Sequence, residues 1–105
     1  MKETRYRICL SVPIGQRSGT MLLRESGGKV DGWIEVMERR NPFSGCLCKD
    51  GRLNISGAIR TLVSSIRYAG AGTVSGKRIL LNLTAQSGDQ YSVSGEEFAG
   101  NDEIL

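Results

Sequence analysis

From Arg5 almost to its end the chain alternates apolar and polar residues with a period of two, and no window carries an apolar stripe at the helical spacing of about 3.6 residues. Successive side chains on a strand point to opposite faces, so this period gives every strand one apolar and one polar face. One face collects Tyr6, Ile8, Leu10 and Val12, then Met21 and Leu23, then Val30, Ile34 and Val36, then Phe43 and Leu47. The second half continues it with Leu53, Ile55, Ile59, Leu62, Ile66, Tyr68, Ile79, Leu81, Leu83, Tyr91 and Val93. Opposite them stand serines, asparagines and arginines. Such one-sided patterning belongs to antiparallel sheet with one wet face, because strands of a parallel sheet are covered on both. The exceptions are Leu22, Trp33, Met37, Val63 and Leu80, apolar residues on the outward phase.

Short turn signals divide the pattern: "GQRSG" at 15–19, "SGG" at 26–28, "RRNP" at 39–42, "KDG" at 49–51, "SGK" at 75–77 and "SGDQ" at 87–90. Their residues tolerate positive φ or make local side-chain hydrogen bonds. Asp50-Gly51 reads as a type I′ hairpin dipeptide. The join from Ile59 to Thr61 has no breaker and reads as a corner or a bend. The spacing predicts eight strands, at 4–14, 19–25, 29–38, 43–49, 52–59, 61–74, 77–85 and 90–98. A meander of eight antiparallel strands closes into an up-and-down β-barrel, which removes both sheet edges and leaves an interior filled by side chains or holding one small ligand. A two-sheet β-sandwich is the alternative. At 105 residues the chain is expected to form one barrel domain over 1–105.

Fourteen glycines are about twice the usual share. A loose repeat accounts for several: "GKVDGWIEV" from Gly28, "GRLNISGAI" from Gly51 and "GDQYSVSGEE" from Gly88 each run turn glycine, apolar residue, small polar residue, glycine. The later glycines, Gly32, Gly57 and Gly95, and with them Gly45, fall on the inward phase. Inward glycine within a strand marks a bulge, a bend or the close approach of another group. Curved closed sheets need such positions, so these glycines are expected to shape the wall.

The strand count, with "SGTMLL" at 18–23 followed by "GGKVDGWI" at 27–34, resembles the calycin type of small meander barrel, the group of avidin-like and lipocalin-like proteins. The resemblance covers most of the chain and implies the barrel fold. Met21 stands where the avidin-like pattern has tryptophan, and no early Gly-x-Trp of the lipocalin kind is present, so no binding residue is carried over.

The composition narrows the chemistry. There is no histidine, which removes the commonest general base and the commonest nitrogen ligand for zinc. Cys46 and Cys48 form the only close cysteine pair, with Cys9 the third thiol, a set too small for four-coordinate zinc without carboxylates. No serine stands in a G-x-S-x-G elbow, and "GAGTVSGK" at 70–77 is not a P-loop because Arg78 follows the lysine. Glu96 and Glu97 point to opposite faces and do not share a proton. No catalytic residue, metal site or cofactor is therefore expected, and the protein is read as a non-enzymatic module. An odd number of cysteines, with no apolar run long enough for a secretory signal or a membrane helix, suggests a reduced, cytoplasmic setting and no membrane.

Three binding readings remain. The first is a small apolar ligand inside the barrel, met by the inward polar candidates Tyr6, Ser64, Tyr68 and Tyr91. The second is an interaction or homo-oligomeric assembly module, in which Trp33, Met37, Val63 and Leu80 form the interface. The third is weak nucleic-acid binding through the outward arginines Arg5, Arg7, Arg24, Arg52, Arg60, Arg67 and Arg78. The small net charge of +3 and a single outward aromatic residue speak against it.

Overall fold

The structure, a computed structural model, describes residues 2–12, 15–61 and 63–98. They form eight strands in chain order: β1 (Lys2–Val12), β2 (Gly15–Ser26), β3 (Lys29–Val36), β4 (Arg39–Leu47), β5 (Arg52–Arg60), β6 (Ser65–Ser75), β7 (Arg78–Ala85) and β8 (Gln90–Glu97). Each pairs antiparallel with its sequence neighbours, and β1 pairs with β8 from Tyr6 opposite Glu97 to Ser11 opposite Ser92. That last pairing closes the sheet. It decides for the up-and-down barrel over the sandwich, because a closed sheet has no unpaired edge to present.

Alternation on the page of the sequence becomes burial in the fold. Ile8, Met21, Ile34, Leu53, Ile79, Leu83 and Val93 are among the side chains that fill the interior, and β7 alternates exposed and buried along its whole length. Leu62, expected on the inward face, and the end of the first strand lie outside the described residues. Leu22 is outward by phase yet buried. In register it lies between Arg5 of β1 and Trp33 of β3, whose ring in turn carries the Arg40 guanidinium 4.4 Å from its centroid.

Two expected turns are strand instead. "GQRSG" continues β2 back to Gly15, paired with Val12, and "RRNP" opens β4 at Arg39, paired with Val36. The β3–β4 turn is therefore Met37-Glu38, both with positive φ, at 53° and 64°. The β4–β5 hairpin does turn at Asp50-Gly51, but only Gly51 has positive φ, so it is not type I′. Gly51 N–H donates to the Cys48 carbonyl at 3.0 Å, and the Asp50 carboxylate accepts from Arg52 N–H at 3.1 Å. That bond and the neighbouring Arg52 charge hold the Asp50 carboxyl below its ordinary range. The join after Ile59 is a tight turn made by Thr61, whose hydroxyl accepts from Ser64 N–H at 3.0 Å while Thr61 N–H donates to the Ser64 carbonyl at 2.8 Å.

One buried polar side chain ties the wall together. Asn41, 1% exposed, donates to the carbonyls of Ile34 at 3.0 Å and Arg39 at 3.1 Å and accepts from Arg60 N–H at 2.9 Å. The β4–β5 pairing runs only from Leu47 to Phe43, so near this end Asn41 supplies the link between β4 and β5 that the backbone does not.

Candidate functional site

An eight-stranded up-and-down barrel has four hairpin connections at one end and three at the other. At the end holding Met37-Glu38 and Thr61–Ser64, a cavity of about 360 Å³ opens into the barrel mouth. Its wall is apolar: Leu10 and Val12 from β1, Ile59 from β5, Ile66 from β6, and Met37 from the β3–β4 turn. Its polar atoms come from Arg17, Thr61, Tyr68 and Tyr91. The volume lies at the small end of the about 300 to 1,000 Å³ typical of ligand pockets, and the mix of apolar wall and few polar groups is the usual one.

Tyr68 is the deepest polar group. The residue is 5% exposed, and its hydroxyl is a buried side-chain polar atom with no hydrogen-bond partner. Burial pushes its ionisation well above the ordinary phenol range, so it stays a neutral O–H. Room for this hydroxyl comes from Gly57, its partner across β5 and β6: a Cβ at Gly57 would stand 3.1 Å from the Tyr68 oxygen. The glycine in "GRLNISGAI" thus shapes the wall and leaves room for the Tyr68 hydroxyl.

Of the other inward candidates, Tyr91 lines the same cavity from β8. Tyr6 is buried toward the opposite end, where burial and then the Glu97 carboxylate raise its ionisation. Ser64 is not inward at all: it is exposed in the β5–β6 turn, bonded to Thr61, because that turn replaces the continuous strand expected from 61. Arg17 was not among the candidates. It stands opposite Leu10 on the inward phase of β2, two and four residues from Gly19 and Met21, and was hidden by reading "GQRSG" as a turn. Extending the Met21–Leu23 alternation backwards would have found it.

The four outward apolar residues do not form one patch. Trp33 on β3 and Leu80 on β7 are separated by three strands either way around the barrel, and Leu80 is 52% exposed beside Cys9 and Ser94. Met37 belongs to the mouth, and Val63, 93% exposed, to the turn beside it. Among the outward arginines, Arg24, Arg52 and Arg78 pair with Asp31, Asp50 and Glu96, and Arg7 lies 4.8 Å from the centre of the Phe98 ring. Cys46 and Cys48 are free and exposed.

These features define a closed eight-stranded meander barrel with an apolar cavity at one mouth. No family model and no curated protein matches the chain. Among solved structures it is similar to a redesigned beta barrel, with a TM-score of 0.71 at 12% identity, covering 90% of each chain. It is also similar to the redesigned beta barrels mFAP1 and mFAP0, both bound to DFHBI. Their TM-scores are 0.67 and 0.64 at 15% and 16% identity, each match covering 88% of this chain and 91% and 94% of theirs. At such identities the likeness establishes the β-barrel fold. The calycin resemblance goes no further than that shared architecture.

Proposed function

We propose that the protein is a binding module that takes one small, largely apolar ligand in its mouth cavity, with Tyr68 donating a hydrogen bond to the ligand's inner polar atom. The observation that carries this reading is an apolar-walled cavity lined by Tyr68, whose hydroxyl is buried with no hydrogen-bond partner among the described residues. A buried hydroxyl without a partner costs about 1 to 3 kcal/mol, which a bound acceptor would relieve. Barrels of this architecture support the reading, since mFAP1 and mFAP0 hold the small molecule DFHBI. The lining favours binding over turnover, because among the described residues its titratable side chains are two tyrosines and one arginine, with no carboxylate or thiol.

The test is a titration of the purified chain with an environment-sensitive apolar dye, alongside Ile66→Trp. Ile66 is partly buried at the cavity, so an indole there fills the space while the core below stays intact. Saturable binding that Ile66→Trp abolishes is expected. Saturable binding that Ile66→Trp leaves untouched, or none, would place the function elsewhere.

A further inference from the structure

We propose that the mouth cavity selects ligands bearing one negative charge at the outer end, a small apolar carboxylate or its chemical equivalent, and that Arg17 makes the selection. This rests on the cavity reading above and adds the class of ligand. Two independent features of the cavity carry it: a cation at the mouth and a neutral donor at depth.

The first feature is where Arg17 stands. The alternation of β2 runs inward through Leu23, Met21 and Gly19, and its next inward position is an arginine. Among the described residues, Arg17 is the only charged side chain in the cavity lining. It is exposed, it enters none of the ion pairs among the described residues, and its guanidinium donates only to the neighbouring Gln16 carbonyl, at 3.0 Å. A guanidinium presents a planar fork of donors that matches a carboxylate in a paired, charge-assisted contact. Glu38 and Asp89 belong to turns at the same end, but neither lines the cavity to compete with a bound anion.

The second feature fixes the orientation. Apart from Arg17, the described lining is aliphatic or methionine but for Thr61 and two tyrosines, and the Tyr68 hydroxyl, neutral and buried, offers at most one hydrogen bond. A carboxylate pushed to that depth would lose its water for a single donor, which is strongly unfavourable. The charge therefore stays at the mouth, partly hydrated and against Arg17, while the apolar body fills the cavity. The modest volume suits a single ring or a medium-length chain.

Three probes of one shape and three charges test this: octanoate, octanol and octylamine, titrated calorimetrically into the full chain at neutral pH. Octanoate is expected to bind at least about fivefold tighter than octanol, with octylamine weakest, and added salt should shrink the spread. Arg17→Gln should bring octanoate to the octanol level; Arg17→Lys should keep part of the preference. Because Arg17 is exposed, neither change threatens the fold. Equal binding of octanoate and octanol, or a preference that survives Arg17→Gln, would overturn the selection and show the arginine stem merely covering apolar wall. A preference that survives Ile66→Trp would place the anion site outside the cavity and overturn it too. Binding of none of the three would overturn the cavity reading itself.

Discussion

Tyr68 is the residue at which stability and function pull apart. Its unpartnered hydroxyl is costly to the free protein and, in the proposed function, donates to the ligand, so Tyr68→Phe should weaken ligand binding while leaving the melt unchanged or raising stability by about 1 kcal/mol. The same burial sets a dependence on pH. Tyr68 ionises well above the ordinary phenol value in the folded state, so the folded protein holds its proton where the unfolded chain has lost it. Stability from this source is complete below about pH 10 and falls as pH rises beyond it, by up to about 1.4 kcal/mol per pH unit. Denaturant melts at pH 9, 10 and 11 should show that fall, reduced in Tyr68→Phe; an equal fall in the variant would assign it to other groups. Asn41 is the opposite kind of residue, with its donors and acceptor all used. Asn41→Ala strips Arg60 N–H and two carbonyls of their partner and should cost about 2 to 4 kcal/mol in urea melts. Tyr68 and Tyr91 were legible because they keep the apolar phase of their strands. Asn41 and Arg17 keep that phase too, but a polar residue next to proline, or in a short polar run between glycines, carries the same signal as a turn, and only the paired strand shows which it is.

At the scale of the element, the β3–β4 hairpin shows how far register overrides turn chemistry. Val36 faces Arg39, so two residues must reverse the chain, and both take positive φ although neither is glycine or asparagine. Left-handed backbone costs an ordinary residue about 1 kcal/mol or more. No local signal marks Met37-Glu38 as a turn; it is one because the strands on either side must pair to bury Val36 and Ile34. Asp50-Gly51 was legible for the converse reason, glycine standing where positive φ is needed, while its turn type depends on the length of the loop. What Met37 gains for the strain is a place in the cavity wall, its side chain set over the mouth. Replacing Met37-Glu38 by Asn-Gly should therefore raise stability by about 1 to 2 kcal/mol and lower ligand affinity several-fold. A stabler variant with unchanged affinity would show that Met37 contributes nothing to the site.

For the whole molecule the governing demand is closure. Eight strands close only if the sheet coils tightly, and the inward glycines are where neighbouring backbone comes too near for a side chain. A Cβ on Gly32 would run into the Leu22 carbonyl, and Gly32 also has a φ of 154° that suits no L side chain. A Cβ on Gly95 would meet the Ile8 side chain at 2.7 Å and the Arg7 carbonyl at 2.8 Å, at the β1–β8 seam that closes the barrel. At Gly57 the obstacles are the Pro42 carbonyl at 2.7 Å and the Tyr68 hydroxyl at 3.1 Å. The alternation alone placed all three on the inner face; which one faces the Tyr68 hydroxyl depends on the β5–β6 register, and that is a property of the closed barrel. Gly32→Val, Gly57→Val and Gly95→Val should each destabilise, by about 2 to 4 kcal/mol, with Gly32→Val the worst because its overlap with backbone is the deepest of the three and its φ is positive. Only Gly57→Val should also lower ligand affinity in the molecules that still fold, since it alone displaces the Tyr68 hydroxyl. Denaturant melts combined with titration of the folded fraction separate the two effects. Equal affinity in all three variants would make Gly57 a wall residue only, and a loss of affinity in Gly32→Val would mean that the cavity is shaped from the far side of the barrel as well.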